Sequence, residues 1–187
     1  MSTSVTTSRP VRPRPHSRVE RRRLDRCDAL SARLAELHAI GDVLTRAADL
    51  VGRGWVQGGW FSVATPGGEV ALTAYDVRMV RDHPVTGACL VGSLVHAAGG
   101  PEQARSQLVQ RTLDLTWHAL RDDGEQPAVL CPSPPVRALR LLDLTRWNDA
   151  PARTCGDVVD LLTSTRSLAS AQADAGRAER EALTPLA

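Results

Sequence analysis

The chain has 187 residues, a formal net charge of +2 and 42% hydrophobic residues. That suffices for one domain plus tails, with a core that needs no disulfide staples. No apolar run reaches the roughly 18–20 residues of a membrane span, and the basic start has no apolar run behind it, which argues against a secretory signal.

The charge is unevenly placed. Residues 1–26 carry eight Arg against Glu20 and Asp25, and the remainder carries fifteen Arg against nineteen acids. A basic arm therefore precedes a mildly acidic body. Every basic residue is Arg, which points to GC-rich coding in a bacterium and weakens any case that Arg was chosen over Lys for its geometry. Cys27, Cys89, Cys131 and Cys155 show no short repeat spacing, which predicts free thiols in a reducing, cytoplasmic compartment.

Residues 1–17 are Ser, Thr, Pro and Arg with almost nothing to bury, which predicts a disordered arm. Arg9, Arg12, Arg14, Arg18, Arg21, Arg22 and Arg23 make it a candidate electrostatic contact for nucleic acid or another acidic partner. No aromatic residue is interleaved to stack on bases, which favours a solubilising tail. Residues 18–40 read as an amphipathic helical extension, with Cys27, Leu30, Leu34 and Leu37 at steps of three, four and three. Gly41-Asp42 reads as a joint between helices. From there a helical domain extends over residues 42–170, opening with Val43, Leu44, Ala47, Leu50 and Val51 on one face.

Trp55 and Trp60 flank a Gly-rich loop. They are candidates to stack a ligand, although paired Trp more often plug the end of a core. Pro66-Gly67-Gly68 between alternating flanks predicts a short β-hairpin near residues 60–75. Asp82-His83-Pro84 reads as a helix entry, and the uncharged run 85–99 as a central buried helix. Gly92 within it predicts a tight contact, because glycine there costs about 0.5–1 kcal/mol relative to Ala. Pro101 opens a further helix to residue 121. Cys131 to Pro135 is a stiff connector, and Val136 to Leu144 a short amphipathic helix.

Arg146-Trp147-Asn148-Asp149-Ala150-Pro151 reads as a turn with Trp147 as its apolar anchor. Thr154 and Asp157 have the spacing of a capping box at the head of a helix over 155–168, a cap worth about 1 kcal/mol. Residues 171–187 predict a loose, Ala-rich end. The fold class is thus mainly α, a small orthogonal or bundle-like helical domain.

Three segments resemble a family of small actinobacterial and phage proteins known as domain of unknown function number 6197. They are Ala47 to Trp55, Cys89 to Leu94, and Trp147 to Thr154. The resemblance spans roughly residues 42–170. The chain departs from it by the Arg-rich extension before Asp42 and by a long insert around residues 60–82. It implies a bacterial cytoplasmic setting and no catalytic residue.

For chemistry, the candidates are Cys89, His96 and Asp149 as catalytic residues, with Trp55, Trp60, Trp147, Asn148, Asp149 and Arg153 as binding residues. Cys89 and His96 lie on one helical face but two turns, about 10 Å, apart, beyond the roughly 3 Å of a nucleophile–base pair. Caps and turns use Asn, Asp and Thr for backbone reasons alone. No Cys-x-x-Cys or His-x-x-x-His spacing occurs among His96, His118, Cys131 and Cys155, so neither a metal nor a cofactor is predicted. The leading expectation is a non-enzymatic interaction or scaffold module. A nucleic-acid-associated protein and a small hydrolase or transferase are the alternatives.

Overall fold

The structure, a computed structural model, describes residues 17–74, 76–121 and 132–183. Arg9, Arg12, Arg14 and Cys131 lie outside the described residues. The described part is mainly helical, with six α-helices and one small sheet.

The first helix, α1, is Arg18–Arg53. The Ser17 hydroxyl caps it, accepting from the Glu20 amide at 3.2 Å. The joint expected at Gly41-Asp42 does not occur. The seam Cys27, Leu30, Leu34, Leu37 continues at the same three- and four-residue steps through Gly41 to Leu44, Ala48 and Val51. Leu37, Leu44 and Val51 along it are buried, and that burial outweighs the modest cost of an internal glycine. A second stripe, Ile40, Val43, Ala47 and Leu50, is buried in the body of the domain.

The last helix, α6, is Cys155–Leu183, so the loose end expected after residue 170 is helical through residue 183. Its seam, Cys155, Val158, Leu162, Thr165, Ala169, Gln172, Gly176 and Glu179, has the same alternation of steps and lies antiparallel along α1. The direction is fixed by cross-helix bonds. The Cys155 thiol meets the Val51 carbonyl at 3.4 Å, Arg33 Nη2 donates to Gln172 Oε1 at 3.3 Å, and Arg26 Nε donates to Glu179 Oε1 at 2.8 Å. Two seams of one period pack continuously, which carries α6 past the point where its own sequence looks too polar to stay ordered.

Between these helices the chain builds the body. The expected hairpin is present as β1, Phe61–Thr65, and β2, Gly68–Leu72, paired antiparallel with Val63 opposite Val70. A short helix α2, Val77–Asp82, leads to β3, Val85–Ala88, which pairs antiparallel with the other edge of β1. The order is β2-β1-β3. Residues 85–88 are therefore strand, not the start of the central helix. Val85 and Thr86 are β-branched and find a free strand edge, which decides the local choice. The central helix α3 is Leu90–Ala97, capped by Cys89, and is buried on all sides through Val95. Pro101 opens a 3-10 turn, Pro101–Arg105, before α4, Gln107–Arg121. Helix α5, Pro134–Asn148, extends past both ends of the predicted 136–144.

Gly92 shows the tight contact expected of it. A Cβ there would stand 2.1 Å from the Trp60 carbonyl oxygen. Only glycine lets the chain entering β1 lie against α3, where the Cys89 amide donates to that same carbonyl at 3.0 Å. One core cluster joins α1, α3, α4, α5 and α6, and a smaller one joins the sheet to Leu50 and Val80.

Candidate functional site

The polar residues singled out in the sequence meet where α1 leaves the domain and α6 enters it. The side chain of Asn148, the last residue of α5, is buried. Its Oδ1 accepts from the Trp55 indole N–H at 3.0 Å and from the Leu90 amide at 3.0 Å. Its Nδ2 donates to the Val56 carbonyl at 3.1 Å and to Asp149 Oδ1 at 2.8 Å. Both acceptor sites and both donors of this amide are thereby filled from within the chain. Asp149 Oδ1 also accepts from the Gly58 amide at 3.1 Å. Gln57 Nε2 donates to the carbonyls of Asn148 and Ala150, each at 3.1 Å.

This network is a clasp. It ties the loop after α1 to the turn before α6 and caps the N-terminus of α3 with the same amide. Gln57 is part of it and was not anticipated, because a lone Gln in a Gly-rich loop carries no sequence signal for two carbonyls ninety residues away. Beside the clasp, the Arg153 guanidinium stacks 3.9 Å from the centre of the Trp147 ring, and its Nε donates to the Trp147 carbonyl at 3.3 Å. Arg153 Nη1 also lies 3.7 Å from Asp157 Oδ2. Asp157 Oδ2 accepts from the Thr154 amide at 2.8 Å and the Thr154 hydroxyl at 2.9 Å, and the Asp157 amide donates back to that hydroxyl at 3.2 Å. The Thr154 amide bond, then its hydroxyl, hold the Asp157 carboxyl below its ordinary range.

Cys89 and His96 do not come together. Cys89 sits at the N-cap of α3, where its sulfur accepts from the Gly92 amide at 3.3 Å, and His96 sits in the last turn. Burial pushes the Cys89 thiol up to about 11, so it is protonated at neutral pH and is a poor nucleophile. His96 packs edge-on to Phe61, ring centres 6.2 Å apart. Partial burial, then the charge of Arg53, lowers its pKa, which keeps the imidazole neutral near pH 7. A shallow cavity of about 200 Å³ opens beside it, lined by Val80, Arg81, His96, Gly99, Gly100, Pro101 and Glu102, with Arg81 and Glu102 paired across it. Neither Cys89, Asn148 nor Asp149 lines that cavity. Trp60 is half-buried, its ring edge-on to Phe61 at 6.3 Å. Among the described residues no three His, Cys, Asp or Glu groups gather as a metal would need, and no helix is long and apolar enough to cross a membrane.

A second polar cluster went unread in the sequence. Asp114 is buried in α4 and accepts from Arg140 Nη1 at 3.1 Å and Arg137 Nη2 at 3.4 Å, both on α5. The Arg140 guanidinium lies 4.5 Å from the centre of the Trp117 ring, whose indole N–H donates to Asp143 at 3.1 Å. A signal was available: Asp114 is a lone acid between Leu113 and Leu115 on the apolar side of α4, and Arg137 and Arg140 are one turn apart. The cluster joins α4 to α5 through a buried carboxylate.

The comparisons add a family and no activity. No functionally curated protein and no solved structure matches the chain. A match over residues 35–168, which takes in the clasp, α3 and the inner parts of α1 and α6, places the chain in the family of unknown function DUF6197.

Proposed function

We propose that the protein is a non-enzymatic interaction module whose working surface is the outer part of the α1/α6 pair. One observation carries this reading. Asn148 and Asp149, which sequence offers for chemistry, are engaged within the chain at the clasp, whereas both long helices continue beyond the family-matched span to expose charged and small residues. None of residues 18–29 of α1 and 174–183 of α6 is buried, which leaves these ends free to serve as a contact surface.

A second reading, contact with nucleic acid, is favoured by Arg18, Arg21 and Arg22, which are exposed and form no salt bridge with the described residues. Such binding acts through phosphates and must weaken as salt rises.

One experiment addresses both. The full chain and an Ala175→Glu/Ala178→Glu variant are used as bait in cell extract, with and without nuclease and at low and high salt. The interaction reading expects a defined protein set that resists nuclease and is lost with the variant. The same set on both baits would refute it, and material released by nuclease and salt would favour the second reading. Turnover abolished by Cys89→Ala or Asp149→Ala in a folded protein would also contradict it.

A further inference from the structure

We infer that the outer α1/α6 arm is a self-association surface, and that its partner is the same arm of a second copy of this chain. This rests on the interaction reading above and gives it a partner. The argument starts from the filling of the helix pair. Over its inner half, Leu44 and Val51 of α1 lie level with Leu162 and Cys155 of α6. Over its outer half, Leu34 faces Gly176 and Arg33 reaches Gln172. A Cβ on Gly176 would stand 3.3 Å from Leu34 Cδ2, so any larger residue would press on the leucine, which glycine admits without displacement. The cost is an open groove of about 310 Å³ beside Leu30, floored by Ala29, Ala175 and Gly176 and rimmed by Arg26, Arg33 and Glu179.

The groove lies where the cover of the body stops. The outermost polar contacts from α1 to the body are those of Glu36 with Arg111 and Gln107 of α4. Beyond them α6 presents Ala171, Ala175, Ala178 and Ala182, all exposed, at steps of four, three and four. A face of that composition lets another helix approach closely and offers nothing to a small ligand.

Charge selects the occupant. Residues 18–36 and 169–183 together carry eight Arg and seven acids. A surface built for phosphates would be one-signed; this one is self-complementary. An antiparallel two-fold arrangement centred on Ala29 sets Arg33 of each copy level with Asp25 of the other, both exposed. Size sets the strength. Seventeen residues of α1 span about 25 Å, and two helices abreast are about 20 Å wide, a face on the order of 500 Å². That is below the roughly 800 Å² per partner of a standard stable interface, so the dimer is weak and dissociates on dilution.

The test is sedimentation equilibrium of the full chain from low-micromolar to near-millimolar concentration. Wild type passes from monomer to dimer. Ala175→Glu/Ala178→Glu stays monomeric at every concentration, with unchanged far-ultraviolet circular dichroism. Ala29→Cys in a Cys27→Ser background cross-links to itself through a short bis-maleimide, as a residue near a two-fold axis must. A wild type that is monomeric throughout overturns the inference, as does a dimer that survives the double variant or is lost only with Leu139→Glu on α5. If wild type is monomeric while the double variant still loses its captured proteins, this inference fails and the interaction reading stands.

Discussion

The two ends of the α1/α6 pair differ in how they are closed. At the inner end the clasp joins the loop after α1 to the turn before α6 through a buried amide with all four hydrogen bonds made. The leucine seam there is backed by α3 and α4. At the outer end the same two helices are joined by an exposed ion pair, Arg26 with Glu179, and by Leu34 set against Gly176. Exposed ion pairs contribute about 0–1 kcal/mol. One sequence period thus produces two different objects. Spacing decides that the helices pair; what stands behind them decides how strongly.

The largest break in that comparison should come from Asn148→Ala. It leaves the Leu90 amide, the Trp55 indole N–H and the Val56 carbonyl without their partner. Each unmet buried group costs about 1–3 kcal/mol, so a loss of about 3–5 kcal/mol is expected in denaturant unfolding, in proportion to how far water reaches the vacated site. A loss under about 1 kcal/mol would mean the clasp is not what closes the inner end.

A pair of leucines compares the two ends directly. Leu44→Ala, at the inner half, should cost about 3 kcal/mol, within the usual range for a buried leucine. Leu30→Ala, beside the open groove, should cost less, about 2 kcal/mol at the low end of that range, because part of its lining is already absent and water fills the space. Both are buried to nearly the same degree, so accessibility alone predicts equal losses. Equal losses at low protein concentration would abolish the distinction between the ends.

Much of this pair was legible in the sequence and some was not, for physical reasons. The seams announce themselves because leucines at three- and four-residue steps bury one face regardless of context. The continuity through Gly41 was hidden, since glycine and aspartate together look like a helix end and only the partner helix shows that the seam runs on. The outer half of α6 was hidden for a related reason: Ala169 to Leu183 is too polar to fold by itself and is ordered by α1. The strand Val85–Ala88 sat inside an uncharged run that reads equally as helix, and the edge of β1 decided it. At the clasp, the turn at Asn148 and the cap at Thr154 were visible as local backbone chemistry. Their link to Trp55, Gln57 and Leu90 was not, because it is made across ninety and fifty-eight residues of chain.

The smallest expected effect concerns pH and again separates the ends. His96 lies in the body, against Phe61 and near Arg53, and its folded pKa is lowered. A lowered imidazole pKa means the unfolded chain takes up a proton first as pH falls. Its penalty is absent above the ordinary histidine range and grows as pH drops through it toward the folded value. Asp157 and Asp143 add a further loss at lower pH. Their carboxyls are held down by the Thr154 amide and by the Trp117 indole N–H respectively, and their contribution disappears as pH falls through those lowered values. Acid should therefore loosen the body around His96, which is read by amide hydrogen exchange at pH 7 and pH 5 corrected for intrinsic rates. His96→Gln should flatten the change in the body over that interval and leave the arm unaffected. An arm that loses protection before the body would place the acid-sensitive contact at the outer end and reverse the assignment.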